Sequence, residues 1–277
     1  GTNGKTTCAT LLYDLYRLMG YKTGLISTVN IKILDKTTPS THTTPNAIRI
    51  NELLSQMVKE GCSYVFMEVS SHALDQNRVS GLSFDIGVYT NISRDHMDYH
   101  PTLNDYIGAK KKLFNSLKND AVAIVNFDDP YGEEMVGDII AKPLSYGLKG
   151  DFDFKGKIVE NNISGLSVEI DGFEMTSRLI GEFNAYNLLV VFAVAKSLGE
   201  EALTVLTIIS NLKAPDGRFE YIVSPRNVTA VIDYAHTPDA LENVLKTLVS
   251  LKSDKEKIFT VFGLSLIHIS EPTRQAS

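Results

Sequence analysis

The sequence predicts an α/β fold: a mostly parallel, P-loop-type sheet flanked by helices, with a small antiparallel sub-sheet, followed by the start of a Rossmann-like α/β domain. Three observations support this prediction. A glycine-rich loop pattern runs directly into a helical pattern at the beginning of the chain, short β-rich runs alternate with amphipathic stretches after it, and one later segment alternates apolar and polar residues about an Asp-Gly pair. Strands and helices that alternate at this spacing form βαβ units on a parallel sheet.

The composition excludes several classes of protein. The chain has 277 residues, 43% of them hydrophobic, and a formal net charge of −6, so it can bury one large core or two smaller ones at about 100–200 residues per domain. Its longest uninterrupted apolar run, 188–195, has eight residues, far fewer than the roughly 20 that a membrane-spanning helix needs. Two cysteines cannot make a disulfide framework, and the sequence has neither a leader pattern nor a block of basic residues. We expect a cytoplasmic monomer that binds no nucleic acid and does not insert into a membrane.

The beginning of the chain carries the strongest local signal. Residues 1–7 read Gly-Thr-Asn-Gly-Lys-Thr-Thr, which matches the second half of the phosphate-binding pattern GxxxxGK(S/T). Apolar residues at helical spacing follow as far as Gly20. In such a loop, backbone N–H groups at the helix N-terminus bind phosphate oxygens, Lys5 adds a positive charge and the Thr6 hydroxyl can ligate Mg²⁺. We therefore predict a nucleotide-phosphate site and, because the first two positions of the pattern are missing, a truncated N-terminus; an accidental match is the alternative.

The apolar pattern also predicts the elements that follow the first helix. Residues 166–175 alternate apolar and polar about Asp171-Gly172, which is typical of a hairpin with a type I′ turn. Pro215 and Gly217 mark a domain boundary between 215 and 216. Thr237 is a suitable N-cap, and Pro238 after it predicts a helix that begins there. The remaining predicted strands are 23–29, 64–69, 84–90, 121–125, 228–233 and 257–262, and the remaining predicted helices are 46–60, 103–117, 184–198 and 200–212.

Two polar side chains follow predicted strands and are candidate metal ligands. Glu68 ends an apolar run, and His96 comes shortly after the next predicted strand, with Asp95, Asp98 and His100 beside it. The carboxyl ends of parallel strands meet at one edge of a sheet, and a P-loop enzyme needs an acidic group for its metal. Each residue also has a plainer interpretation, Glu68 as a strand-end carboxylate facing water and His96 as a structural histidine.

Lys110 occupies an unusual position for a charged residue. At 100° per residue it falls near the centre of the apolar stripe of the predicted 103–117 helix, whereas Lys111 and Lys112 point away. Burying an ammonium group is costly, so the side chain either extends to solvent or is partnered or chemically neutralised in a site. Spacing alone leaves both possibilities open.

Weaker candidate signals occur in three further places, and for each of them an ordinary structural role is the favoured interpretation. Thr-Thr-Pro is a common lead into a helix, an isolated arginine is a common surface cation, and an aspartate often ends a strand. The residues concerned are Thr43, Thr44, Gln76, Arg78, Asp233 and His236.

Taken together, nine strings resemble a known family. They are GTNGKTT, TTP, MEVSSHALDQNRV, TNISRDHMDYH, YIGAKKKLF, NFDDP, GEFNAYN, GRFE and DYAHTPDALENV, all within residues 1–263. In this order they resemble the Mur ligases, and within that family the enzymes that add a diamino acid to UDP-N-acetylmuramoyl-L-alanyl-D-glutamate. The resemblance implies an ATP-dependent amide ligase of peptidoglycan synthesis that uses ATP and two Mg²⁺ ions. A substrate carboxylate is then activated as an acyl phosphate, and the amine of the diamino acid displaces phosphate.

The resemblance also assigns roles to residues. It places the ATP phosphates at Thr2, Asn3, Gly4, Lys5, Thr6 and Thr7. It implies nucleotide contacts by Asn187, Arg218, Asp233 and His236, and contacts to the UDP-muramoyl-dipeptide by Thr43, Thr44, Ser70, Gln76 and Arg78. It implies metal ligation by Thr6, Glu68, His96 and Lys110, and catalytic roles for Lys5, His96 and Lys110. Lys110 matches a lysine that is carbamylated in the family, a modification that turns a cation into a carboxylate-like ligand.

The resemblance further predicts the domain organisation. Residues 1–215 match a central ATP-binding domain, 216–263 match the first part of a C-terminal domain, and 264–277 match nothing in the family and read as a non-native tail. Because the family's N-terminal domain and most of its C-terminal domain are missing, we expect this chain alone to have little or no ligase activity.

Two other functions stay open at this point, as does the identity of the diamino acid. A folylpolyglutamate synthetase-like ligase would share the loop and the lysine. A non-catalytic nucleotide switch would need an Asn-Lys-x-Asp string, which this sequence lacks. Nothing in the sequence distinguishes meso-diaminopimelate from L-lysine as the added amino acid.

Overall fold

The computed structural model describes residues 1–225, 228–261 and 263. Its helices are α1 (Lys5–Leu18), α2 (Ala47–Lys59), α3 (Ser71–Asp75), α4 (Leu103–Asn115), α5 (Gly132–Val136), α6 (Glu182–Ser197), α7 (Ala202–Ile209) and α8 (Pro238–Leu251). Its strands are β1 (Thr23–Ile26), β2 (Asn30–Ile33), β3 (Lys36–Pro39), β4 (Tyr64–Met67), β5 (Ile86–Tyr89), β6 (Val122–Asn126), β7 (Lys142–Gly147), β8 (Phe154–Asn162), β9 (Gly165–Ile170), β10 (Phe173–Ser177), β11 (Glu220–Val223) and β12 (Thr229–Ile232). None of the helices in this described part of the chain combines the length and the apolar character that a membrane crossing requires.

The first sheet supports the beginning of the chain. Its four strands lie in the order β3-β2-β1-β4, with β1 parallel to β4 and with β2 antiparallel to both of its neighbours, β1 and β3. Helix α1 packs against β1 and β4, and it starts immediately after Gly4, whose φ of 84° only glycine adopts readily. The carboxyl ends of β1 and β4 therefore lie beside the N-terminus of α1, which places Glu68 next to the phosphate loop.

The second sheet has six strands in the order β10-β9-β8-β7-β6-β5. Strands β5 to β8 are parallel, and β8, β9 and β10 are antiparallel. The predicted hairpin is confirmed: β9 and β10 pair about Asp171 and Gly172, whose φ angles of 54° and 79° are both positive, as a type I′ turn requires. Through β8, the hairpin extends the parallel strands within one sheet.

Helix α6 forms the centre of the main core. The apolar run 188–195 lies within it, and each of these side chains is at most 3% exposed. A helix that is apolar on every side must be covered on every side, and α6 packs against α1, α7 and strands β6 to β9. This packing fixes α1, which carries the phosphate loop, relative to the second sheet.

The α/β architecture predicted from the sequence is confirmed, with parallel strands flanked by helices and an antiparallel part. Most of the predicted helices and strands end within three residues of the observed ones. The chain from 216 onward contains the antiparallel pair β11–β12 and helix α8, which Thr237 caps as predicted. The predicted Rossmann-like character of this part stays a prediction.

Two strand predictions differ from the structure. The predicted strand 23–29 stops at Ile26, because Ser27 and Asn30 close a turn through their backbone and the Ser27 hydroxyl; the chain then forms β2 and β3, which the sequence pattern did not indicate. Within the predicted strand 257–262, residues 257–261 are not a strand, because no described segment pairs with them and the Val261 side chain is 99% exposed. The end of that prediction at residue 262 and the predicted tail 264–277 lie outside the described residues.

Candidate nucleotide and metal site

The phosphate loop is held in place by the segment that follows β5. The Thr2 N–H donates to the Asn91 carbonyl over 2.8 Å, and the Thr90 hydroxyl donates to the Asn3 carbonyl over 2.7 Å. The Lys5 amine turns back on the loop and donates to the Thr2 carbonyl over 2.7 Å. Burial lowers the pKa of Lys5, an effect that the Glu68 carboxylate opposes. The loop thus presents its lysine and the N-terminus of α1 on one side, as a phosphate site requires.

Glu68 is buried rather than facing water, so the plainer interpretation of this residue is wrong. Its side chain lies just beyond β4 and the residue is 2% exposed. The carboxylate accepts hydrogen bonds from the Thr28 N–H at 2.7 Å, the Thr28 hydroxyl at 3.0 Å and the Thr6 hydroxyl at 3.2 Å. A buried carboxylate beside the hydroxyl of the phosphate loop is an arrangement that suits a magnesium–nucleotide complex.

Lys110 is buried and partnered, as one of the two interpretations of its position predicted. The residue is 5% exposed, and its amine donates to the Gly1 carbonyl over 3.1 Å. The amine also lies 4.2 Å from the centroid of the Tyr106 ring, whose hydroxyl is hydrogen-bonded to the Thr2 hydroxyl. Burial, followed by the charge of Lys5, lowers the pKa of Lys110 well below its ordinary value, and Asp95 opposes this shift. The amine is therefore in a site that favours its neutral form.

His96 sits in a turn that constrains its backbone. Its φ is 56°, an uncommon value for a residue with a side chain, and its N–H donates to the Asp95 carboxylate over 2.8 Å. Its Nε2 lies 3.4 Å from the other oxygen of that carboxylate. Burial lowers the pKa of His96, and Asp95 opposes the shift. The imidazole is thus more readily neutral, the form that ligates metals.

A cleft of about 410 Å³ brings most of the predicted site residues together. The predicted residues that line it are Thr2, Asn3, Gly4, Lys5, Thr6, Thr7, Thr43, Glu68, His96, Asn187, Arg218, Asp233 and His236. Lys110 does not line this cleft; it lines a second cavity of similar size, between β4 and β5, to which Lys5 and Glu68 also contribute. The predicted metal ligands thus lie around the phosphate loop, and the Lys110 amine and the His96 ring both lie beside the Tyr106 ring, at 4.2 Å and 6.1 Å from its centroid.

Arg218 links the chain beyond residue 216 to the phosphate loop. Its guanidinium donates to the Thr6 hydroxyl over 3.1 Å and lies 5.0 Å from the centroid of the Tyr234 ring. The Asp233 carboxylate accepts from the N–H groups of Phe219 and Ala235, while burial raises its pKa. Arg218 Nε is buried and has no hydrogen-bond partner among the residues that the structure describes. A positive charge is thus held at the phosphate end of the cleft, with one donor still available.

Helix α6 forms a further wall of the cleft, where Asn187 lies beside Gly4. The Asn187 side chain donates to Asn184 Oδ1 over 2.9 Å and accepts from the Cys8 thiol over 3.3 Å. Four aromatic residues that sequence reasoning did not single out also line the cleft: Tyr146, Phe183, Tyr186 and Tyr234. Two of them could have been found, since Tyr186 and Tyr234 stand directly beside the predicted residues Asn187 and Asp233. Aromatic side chains of this kind can cover a nucleotide base.

The residues predicted to hold the second substrate form one hydrogen-bonded network. The Thr44 hydroxyl donates to the Glu68 carbonyl over 2.9 Å and accepts from the Ser70 N–H over 3.0 Å. Arg78 donates to the Thr44 carbonyl over 2.8 Å and to the Gln76 side chain over 2.9 Å. Thr43 accepts from the Thr28 hydroxyl. Apart from Thr43, these residues lie outside the cleft, yet the network is continuous with Glu68.

The donor set at the loop fits magnesium, although no preformed cage is present. In the described part of the chain, no three His, Cys, Asp or Glu side chains converge on a point that could hold a metal. Magnesium is commonly bound by one or two protein oxygens together with phosphate oxygens and water. The Thr6 hydroxyl and the Glu68 carboxylate, 3.2 Å apart, supply such oxygens at the N-terminus of α1.

Comparison with known proteins identifies the family. The family model described as "Mur ligase middle domain" matches residues 1–195, and the one described as "Mur ligase, glutamate ligase domain" matches residues 217–267. The chain belongs to the Mur ligase family. The resemblance of the nine sequence strings is therefore confirmed.

Individual Mur ligases resemble the chain in sequence and in structure. It is 52% identical over 263 residues to UDP-N-acetylmuramoyl-L-alanyl-D-glutamate–2,6-diaminopimelate ligase from Cytophaga hutchinsonii, covering 95% of this chain and 54% of that protein. A solved structure of an enzyme with the same name has a TM-score of 0.79 at 34% identity, covering 92% of this chain and 53% of that one. A MurF ligase from Thermotoga maritima in complex with ADP shares the fold, with a TM-score of 0.68 at 21% identity, covering 90% and 55% of the two chains. The chain thus spans about half the length of the curated relatives it matches.

Proposed function

We propose that this chain carries the ATP site of an amide ligase of peptidoglycan precursor synthesis, which joins 2,6-diaminopimelate to UDP-N-acetylmuramoyl-L-alanyl-D-glutamate. One observation carries the proposal. The Thr6 hydroxyl of the phosphate loop is hydrogen-bonded both to the buried Glu68 carboxylate and to Arg218, which lies 212 residues away in sequence. An oxygen donor set for a cation and a fixed positive charge thus meet at one phosphate-binding helix terminus. The names of the relatives supply the choice of diaminopimelate.

The residues around the loop suit the transfer of a phosphoryl group to a carboxylate. In the proposed reaction, the γ-phosphoryl group of ATP passes to an oxygen of the substrate carboxylate, which yields ADP and an acyl phosphate. The amine then attacks the acyl carbon, and phosphate leaves as the nitrogen loses a proton. Lys5, Arg218 and the N–H groups of α1 would neutralise the phosphate oxygens during this transfer. Magnesium, held through Thr6, Glu68 and His96, would add further positive charge; the family resemblance implies two such ions.

Carbamylation of Lys110 is part of this proposal. A neutral amine reacts with carbon dioxide, forming an N–C bond and releasing a proton to give a carbamate. The low pKa of the buried Lys110 supports this reaction, since it increases the neutral fraction. A carbamate at this position would offer magnesium a carboxylate-like oxygen, whereas the unmodified amine donates a hydrogen bond to the Gly1 carbonyl. We further propose that the enzyme acts in the cytoplasm as a monomer.

Binding measurements test the proposal directly. In titration calorimetry with Mg²⁺, the chain should bind a non-hydrolysable ATP analogue more tightly than the corresponding GTP analogue. This result would argue against a guanine-specific nucleotide switch. Titration with UDP-N-acetylmuramoyl-L-alanyl-D-glutamate should show binding where a folate does not. Preference for the folate would favour the folylpolyglutamate synthetase-like alternative, and absence of nucleotide binding would refute the ATP site.

Discrimination between the two diamino acids needs turnover. A protein that contains this chain together with the remaining length of its relatives should form UDP-muramoyl-tripeptide with meso-diaminopimelate in preference to L-lysine. Preference for L-lysine would contradict the assignment of the amino-acid substrate and leave the ligase chemistry unaffected.

A further inference from the structure

Helix α3 follows Glu68 by only three residues and is anchored to the same strand end. The Thr44 hydroxyl bridges this segment, since it donates to the Glu68 carbonyl and accepts from the Ser70 N–H. Ser70 in turn caps α3, its hydroxyl accepting from the Ala73 N–H over 3.1 Å. The position of α3 is therefore tied to that of Glu68. His72, which lies in the first turn of this helix, has no role in the proposed reaction.

The His72 ring makes aromatic contacts with the turn that carries His96. Its centroid lies 4.7 Å from that of His96, with the two rings at 89° to each other. It also lies 4.1 Å from the Tyr99 ring and 5.7 Å from the His100 ring. Edge-to-face aromatic pairs at such distances are favourable and directional. The α3 segment also reaches this turn through Asp75 and Gln76, which are hydrogen-bonded to the Tyr99 hydroxyl, but His72 is the side chain of α3 that packs on the His96 ring itself.

His96 needs such support because its other contacts fix the backbone more than the ring. Its carbonyl accepts from the N–H groups of Tyr99 and His100, and its own N–H donates to Asp95. The ring has only a long contact of 3.4 Å with the Asp95 carboxylate, and the side chain is 37% exposed. Rotation of the imidazole about its side-chain bonds is thus limited mainly by its aromatic neighbours, His72 and Tyr106.

We propose that His72 is a positioning residue that holds the His96 imidazole at a set distance from the Glu68 carboxylate. This inference rests on the proposed function, in which Glu68 and His96 ligate magnesium at the nucleotide. Its physical basis is the path Glu68, Thr44, Ser70, His72 and His96, in which each member contacts the next or is joined to it by a short backbone segment. Outer residues that orient metal ligands commonly change metal affinity by about 10- to 100-fold when they are replaced.

The test compares two replacements of His72 in the 277-residue chain. His72→Phe keeps an aromatic ring against His96, and His72→Ala removes it. Calorimetry measures the affinity for a non-hydrolysable ATP analogue across a magnesium titration and again in EDTA, and circular dichroism follows thermal unfolding. Phe173→Ala, an exposed aromatic in β10 at the opposite edge of the second sheet, is the control for removal of a ring. Glu68→Gln and His96→Asn report whether the metal site exists.

If His72 positions His96, His72→Ala raises the magnesium concentration needed for half-maximal nucleotide binding by about tenfold, and His72→Phe restores it to within about twofold of the parent chain. Nucleotide binding in EDTA stays unchanged in both variants.

The inference is wrong if His72→Ala lowers nucleotide binding equally with and without magnesium, or if it leaves the magnesium requirement at the parent value while His96→Asn raises it. Should His72→Ala fail to fold, a raised magnesium requirement in a folded His72→Phe chain would also overturn it. If neither Glu68→Gln nor His96→Asn changes the magnesium requirement, the proposed metal site fails first and the inference with it.

Discussion

Replacement of Gly4 by alanine provides a sharp test of the phosphate loop. Gly4 has a φ of +84°, and a Cβ added there would lie 2.6 Å from Asn187 Oδ1. An L-residue in this left-handed conformation costs about 1–2 kcal/mol. The contact would in addition displace Asn187 from its hydrogen bonds to Cys8 and Asn184, at about 0.5–1.5 kcal/mol each. We expect Gly4→Ala to lower the free energy of unfolding by about 2–5 kcal/mol.

Gly20 offers a matched control for the backbone strain alone. Its φ is +90°, and no atom lies within 4 Å of a Cβ built on it. Gly20→Ala should therefore lower the free energy of unfolding by only about 1–2 kcal/mol and leave nucleotide binding unchanged. Urea denaturation measures the stabilities, and calorimetry with magnesium and a non-hydrolysable ATP analogue measures the affinities.

Gly4→Ala and Gly20→Ala should differ in nucleotide binding as well as in stability. Gly4→Ala should weaken nucleotide binding by at least about tenfold, because it moves both the loop and Asn187, and 1.4 kcal/mol corresponds to a factor of ten. If folded Gly4→Ala binds the nucleotide as tightly as Gly20→Ala does, the assignment of this loop and of Asn187 to the nucleotide site is refuted.

Four further predictions concern the charge of Lys5, the stacking of Tyr234, the core and the buried amine of Lys110. Lys5→Met should weaken nucleotide binding by about 10- to 100-fold in calorimetry, since a charge-assisted hydrogen bond contributes about 1.5–3 kcal/mol. Tyr234→Ala should weaken it by about fivefold through loss of the contact that holds Arg218; an unchanged affinity would show that the stack does not position the guanidinium. Phe192→Ala, at 1% exposure in α6, should lower the free energy of unfolding in urea by about 3–5 kcal/mol. Lys110→Met should raise the free energy of unfolding at neutral pH. Burial lowers the pKa of Lys110 in the folded chain, so the unfolded chain keeps the Lys110 proton to a higher pH than the folded chain does. The free energy of unfolding of the parent chain therefore rises with pH. Urea unfolding should show the advantage of Lys110→Met shrinking as the pH approaches the ordinary pKa of lysine.

The elements with local signals could be predicted from the sequence. Helical spacing indicated α1, α2, α4 and α6, and an Asp-Gly pair indicated the β9–β10 hairpin, because such patterns depend on residues within a few positions of one another. Strands β2 and β3 were missed for the same reason. Their turns lack an Asn-Gly or Asp-Gly pair, and the turn between them instead uses Leu34 at a φ of 52°.

In the candidate site, too, local sequence patterns predicted some features and missed those that depend on tertiary contacts. Sequence motifs predicted which residues belong to it, and helical periodicity placed Lys110 at the centre of an apolar stripe without deciding whether its side chain extends to solvent. Periodicity could not show where the amine points, and the structure places it against Gly1 and Tyr106. The burial of Glu68 and the contact of His72 with His96 were also invisible in sequence, because they depend on how two separate strand ends pack.

By itself, the sequence determined the fold class and the family, and it predicted a phosphate loop and a set of site residues, since these depend on spacing and residue type over short stretches of chain. Only the tertiary structure decided that the Thr6 hydroxyl joins Glu68 to Arg218 and that Lys110 and His96 both lie beside the Tyr106 ring. Distances between residues far apart in the chain are set by the packing of α1 against the first sheet, of α6 against the second sheet and of the two helices against each other. That packing is a property of the whole buried core rather than of any one segment.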